Sequence, residues 1–231
     1  MPYQGLMSVK PPTATLAAEQ RGRPSTSAHR GAWQALCNPL VWLLGFIYCG
    51  IVAANYGVTF FLPQIVRAFG VSFTEVGLLS ALPYLAAAIG VLWWGARSER
   101  MRERRWHLMI PSIVAALALV VASFTDYPPL RLAALTAGGF GAFANLPVFW
   151  TLPSALFAEA EAPAAIAVVI SIGNITGFAA PYAVGVLKQL TGNFASGMLA
   201  LAAFIALTII VAALVMVPDS RHVALAKSAA P

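Results

Sequence analysis

The stretch "GARSERMRERR", residues 95–105, puts five arginines and two glutamates into eleven positions. On its two sides, residues 76–96 and 106–125 otherwise contain almost no charge. A helix climbs about 1.5 Å per residue and the hydrocarbon core of a bilayer is about 30 Å thick, so about 20 apolar residues cross it. Four more charge-free runs meet that length: 31–66, 132–158, 162–187 and 189–218. Of the 231 residues, 60% are hydrophobic and 10% charged. Soluble domains carry roughly a quarter charged residues, so the chain lies outside that class. The runs do not alternate as the strands of a membrane barrel would. Helices satisfy their own backbone groups inside lipid. The sequence predicts an all-α membrane protein with six transmembrane helices, at 39–62, 73–94, 106–125, 131–153, 164–187 and 194–217.

Six spans leave both chain ends on one side, and the basic residues choose the side. Lys10, Arg21, Arg23, Arg30, the five arginines of 95–105, Arg221 and Lys227 fall on one face. Arg67, Arg131 and Lys188 fall on the other. Both ends are therefore expected in the cytoplasm, with the chain in a cell (inner) membrane. Residues 1–37 read as a disordered cytoplasmic tail or linker, 38–218 as the six-helix domain and 219–231 as a cytoplasmic tail. The first thirty residues lack the compact apolar core of a signal peptide. The net charge of +6 follows membrane topology, so no nucleic-acid partner is expected. Cys37 and Cys49 read as small apolar fillers.

Gly95, Glu99, Arg100, Arg104 and Arg105 follow the pattern G-x-x-x-[DE]-R-x-x-x-R-R. This resembles the loop motif of the major facilitator superfamily, which joins the second and third helices of each six-helix half. Glu99 replaces the family's Asp, and Arg102 stands where a second glycine belongs. Gly tolerates positive φ and Arg does not, so the tight turn is in question. The resemblance implies a gating latch, in which the acid sits near a neighbouring helix N-terminus and pairs with an arginine. The plain alternative is a loop that only fixes topology.

"SIGNITGFAAPYAVGVLKQLTGNF", residues 171–194, resembles the eleventh helix of the anion:cation symporter branch of that superfamily. "LPVFWTLPSALF", 146–157, is similar to its tenth, and "FLPQIVRAFG", 61–70, to the exit of its seventh. The resemblance covers residues 38–218 and implies the C-terminal half of a twelve-helix fold, itself a three-plus-three inverted repeat. Pro83-Tyr84 and Pro181-Tyr182, in the second and fifth spans, fit such a repeat. It further implies cation-coupled symport (H+ or Na+) of a small organic anion, a tartrate-like dicarboxylate or sugar acid, by alternating access.

The residues themselves point to the same helices. Gly138, Gly139, Gly141, Gly173, Gly177 and Gly185 concentrate in the fourth and fifth spans, where small residues let helices approach closely. Pro147, Pro153 and Pro181 interrupt hydrogen bonding there. Asn55, Tyr56, Trp150, Ser171 and Asn174 are the substrate-binding candidates, because amides and indole donors in hydrocarbon want polar partners. Helix–helix hydrogen bonding is the alternative role for each. No acidic or basic residue is expected at mid-membrane, although coupled anion transport needs one. The resemblance implies that the charged groups lie in a missing N-terminal half; a second copy is the other possible partner, although two copies would still lack a membrane charge. No metal, cofactor or catalytic residue is expected, since His29, His107 and His222 are scattered and no carboxylates pair in the spans. The competing readings are a truncated or split half-transporter inactive alone, a non-transport membrane protein, a membrane enzyme and a channel.

Overall fold

The structure is a computed structural model and describes residues 33, 35–157 and 161–215. The expected tails, 1–37 and 219–231, lie outside the described residues apart from a few positions before Asn38. Six helical spans are present: Pro39–Arg67, Phe73–Met101, Arg105–Phe124, Pro128–Leu156, Ala162–Thr191 and Ala195–Leu214. Most overrun the predicted ends by several residues. Hydropathy marks only the hydrocarbon crossing, whereas backbone hydrogen bonding continues into the interface.

The first span is α1 (Pro39–Arg67), opened by Asn38, whose side chain accepts the Leu40 N–H at 2.9 Å. The second begins as α2 (Phe73–Ile89). Its start is a capping box, in which the Ser72 N–H donates to Glu75 Oε2 at 2.8 Å and the Glu75 N–H to Ser72 Oγ at 3.3 Å. It continues through a π-helical turn, Gly90–Trp94, into α3 (Gly95–Met101). The third span is α4 (Arg105–Phe124). The fourth is broken at Asn145 into α5 (Pro128–Ala144) and α6 (Leu146–Leu156). Pro147, the second residue of α6, has no N–H to continue the ladder from α5. The fifth is α7 (Ala162–Thr191), ended by Gly192 at φ +77°, and the sixth is α8 (Ala195–Val215).

Packing follows an exchange rule. The first span packs mainly on the fifth, and the fourth packs on the second as closely as on the third. Swapping spans one to three with spans four to six turns one pair into the other, as in half of a major facilitator fold. The third span lies against the fourth and sixth. The first is the most enclosed, with 67% of its most apolar stretch buried, against 22% for the second and 17% for the fifth. The two least covered spans are those the exchange relates. Apolar packing gathers at both ends of the bundle, around Leu62, Leu119 and Ile205 and around Phe149, Leu108 and Val169.

Candidate functional site

One face of α1 presents Tyr48, Val52, Tyr56 and Phe60 at four-residue spacing, which aligns them in one row. The Tyr48 ring stacks on Phe149 with centroids 5.0 Å apart and meets Trp150 edge-on at 5.0 Å. The same ring lies over Gly173 of α7, where a β-carbon would come within 2.3 Å of it. Two turns on, Tyr56 lies over Gly177, where a β-carbon would be 3.1 Å from its ring. Gly173 and Gly177 thus form the floor on which the two tyrosines rest. The Tyr84 hydroxyl of α2 reaches the Thr59 carbonyl at 3.5 Å. The row is therefore walled by the fourth, fifth and second spans.

The structure divides the five binding candidates. Trp150 and Tyr56 belong to this face, Trp150 half-buried and Tyr56 exposed. Asn55 is half-buried and its amide nitrogen is committed: it donates to the Ala142 carbonyl at 2.7 Å and to the Ile51 carbonyl at 2.9 Å. Ala142 lies in the last turn of α5, where carbonyls lose their helical partners at the Asn145 break. Asn55 therefore caps that break from the first span, leaving only Oδ1 toward a solute. Ser171 and Asn174 are exposed on α7, and Ser171 donates to the Ala167 carbonyl at 2.8 Å. Ile175 and Phe178 of the same helix are exposed as well. Tyr48 was not singled out in the sequence, though its eight-residue distance from Tyr56 was a visible signal.

The arginine loop is held differently from the latch that the motif implies. Gly95 faces Pro147, where a β-carbon would be 3.1 Å away, so the motif's glycine sits at the contact between the second span and the broken fourth. Ser98, one turn on, is buried. Glu99 is rotated about 100° from Ser98 around the helix and is exposed. Among the described residues it makes no ion pair. The acid that engages is Glu103, which accepts the Trp106 N–H at 3.1 Å and lies 3.4 Å from the His107 ring nitrogen. Arg100 is exposed beside Trp93, Arg97 and Met101. Arg104 reaches the Thr151 carbonyl at 3.4 Å, and Arg105 the Ala213 carbonyl in the last turn of α8 at 3.3 Å. Cations at helix C-terminal carbonyls are stabilising. Arg102 adopts the left-handed conformation, φ 50°, alone among the described non-glycine residues. The tight turn forms despite the arginine.

No Asp, Glu, Lys or Arg falls within residues 132–158 or 31–66, so the face offers aromatic walls and carbonyl or amide oxygens without charge. Among the described residues no group of His, Cys, Asp and Glu could hold a metal. The Major Facilitator Superfamily model matches residues 10–231. The chain belongs to the major facilitator superfamily. Members of this superfamily are transporters, not enzymes. A quinolone resistance transporter of Acinetobacter baumannii is 35% identical over 74% of the chain and 39% of that protein. A protein of Agrobacterium vitis named as a tartrate transporter is 34% identical over 80% of the chain and 40% of its own length. The inner membrane transport protein RhmT of Escherichia coli is 33% identical over 73% of the chain and 40% of its length. The chain spans about two fifths of the length of each of these relatives.

Proposed function

We propose that this chain forms the second half of a carrier of small organic anions, a tartrate-like dicarboxylate or sugar acid, working by alternating access with H+ or Na+ symport. The Tyr48–Phe149–Trp150 cluster over Gly173 carries the reading. It is a flat apolar wall with phenol and indole donors, and it lies on a half whose relatives include a protein named for tartrate transport. Asn55 Oδ1 is an acceptor suited to a substrate hydroxyl. Residues 31–66 and 132–158, which carry most of the aromatic face, supply no cation for the carboxylates and no acidic group for coupling. Those groups come from a complementary six-helix half, contributed by a partner chain or by preceding sequence. The charge asymmetry of the sequence supports a cytoplasmic position for both ends and the 95–105 loop.

Uptake of labelled tartrate into proteoliposomes under a proton gradient tests this. The isolated chain should accumulate none. Co-reconstituted with its complementary half it should, and Trp150→Ala should cut that uptake about tenfold, the equivalent of one lost aromatic contact. Robust accumulation by the isolated chain, or indifference to Trp150→Ala, defeats the proposal. A second substrate class has its own support: the aromatic wall also suits a planar aromatic carboxylate, and one relative is named for quinolone resistance. Competition between a quinolone and tartrate separates the two.

A further inference from the structure

Three basic side chains lie at the end of the bundle opposite the arginine loop: Arg67, Arg131 and Lys188. Basic residues are scarce on the outer side of membrane proteins, so each calls for a physical account. Arg67 has one locally. Its guanidinium is 4.1 Å from the Phe73 ring centroid, and it donates to the Val71 carbonyl. Arg131 and Lys188 instead line one cavity of about 500 Å³. Its walls come from the ends of five spans, including Ile65 of the first and Met198 of the sixth.

The charge balance of that cavity favours an anion. Asp126 is its one acidic lining residue and is already 3.0 Å from an Arg131 nitrogen. Arg131 Nε donates to the Ala122 carbonyl at 3.1 Å, which leaves Nη1 free of these bonds. With that pair neutral, Lys188 leaves the cavity with one net positive charge. Its ammonium rests 3.9 Å from the Phe194 ring centroid and has no carboxylate within ion-pair distance among the described residues. Asn193 adds a further donor, since its Oδ1 accepts the Ala195 N–H at 3.0 Å and its amide hydrogens remain. An ammonium, a guanidinium edge and an amide around one polar cavity match a ligand that only accepts hydrogen bonds.

We propose that this cavity is an oxyanion site for a small carboxylate solute, separate from the aromatic face. Its fixed positive charge raises the local concentration of anions at this end of the bundle. The choice of tartrate as probe rests on the transport reading above; inorganic phosphate is a second probe free of that dependence.

The test uses the full chain in phosphatidylcholine nanodiscs. Acetylation of Lys188 by an amine-reactive reagent is followed by peptide mass spectrometry, with Lys10 and Lys227 as reference lysines. Tartrate at about ten times its dissociation constant should slow acetylation at Lys188 about tenfold while the reference lysines are unchanged. Phosphate should protect as well. Asn193→Ala should weaken the protection, and so should Arg131→Gln if it folds. Trp150→Ala should leave protection intact while cutting uptake by the assembled carrier about tenfold, so uptake indifferent to Trp150→Ala alongside an intact Lys188 signal condemns the transport reading and not this site. Equal rates at Lys188 with and without both anions overturn the proposal. So does protection that appears only when phosphatidylglycerol is added without solute, because the occupant would then be a lipid headgroup.

Discussion

Gly141→Ala and Gly185→Ala change the same residue type by one methyl, in two neighbouring spans, and should move stability in opposite directions. At Gly141 a β-carbon would lie 2.4 Å from the Pro111 carbonyl oxygen and 2.7 Å from the Ala115 nitrogen. Both are backbone atoms of α4, so no side chain can swing aside. Relief requires α4 and α5, among the most closely packed pair in the bundle, to part by about 1 Å. Overpacking of this kind costs about 1–3 kcal/mol. The better helix propensity of alanine returns about 0.8–1 kcal/mol. The net loss is up to about 2 kcal/mol, or up to about 8 °C in melting temperature for a chain of this size. At Gly185 a β-carbon meets nothing within 4 Å. Only the propensity gain applies there, so stability should hold or rise by up to about 1 kcal/mol. Thermal unfolding in detergent, followed by tryptophan fluorescence, reads both. Equal melting temperatures for the two variants, or a greater loss at Gly185, would refute the packing argument.

Arg102→Gly should raise the melting temperature, because a left-handed arginine costs about 1–2 kcal/mol and the added chain entropy of glycine cancels only part of that; an unchanged or lower melting temperature contradicts the strain. Asn55→Leu should destabilise by about 1 kcal/mol by stripping the Ala142 carbonyl of its cap in an apolar setting, and the same thermal melts check it. A single cysteine at Ala96 should react with impermeant maleimide only in inside-out vesicles; reaction in right-side-out cells would reverse the assigned sidedness. Gly173→Leu should displace the Tyr48 ring and abolish uptake by the assembled carrier while Gly185→Leu leaves it measurable, read in the tartrate assay.

The motif around Gly95 was legible in the letters, but its mechanics were not. Gly95 meets Pro147 through a contact fifty-two positions along the chain, and Glu99 turns outward because the helix runs on from Gly95 through Ser98. Among the described residues Glu103 pairs with His107, just past the left-handed turn at Arg102, and Glu99 makes no ion pair. Asn55 and Asn174 look alike as amides in apolar runs, yet one caps a broken helix and the other stands exposed.

Read alone, the letters already called for a helical chain with six spans long enough to cross a bilayer and most of its arginines gathered outside those spans, because span length and charge placement are set by the thickness of lipid and the cost of charge within it. They also marked the family and the glycine-rich fourth and fifth spans. Only the tertiary structure decided which glycines bear a neighbour's weight, that Tyr48 joins Trp150, and that Arg131 and Lys188 share a cavity. These are contacts between residues tens of positions apart, and they depend on how the helices rotate about their axes, which composition and local spacing do not specify.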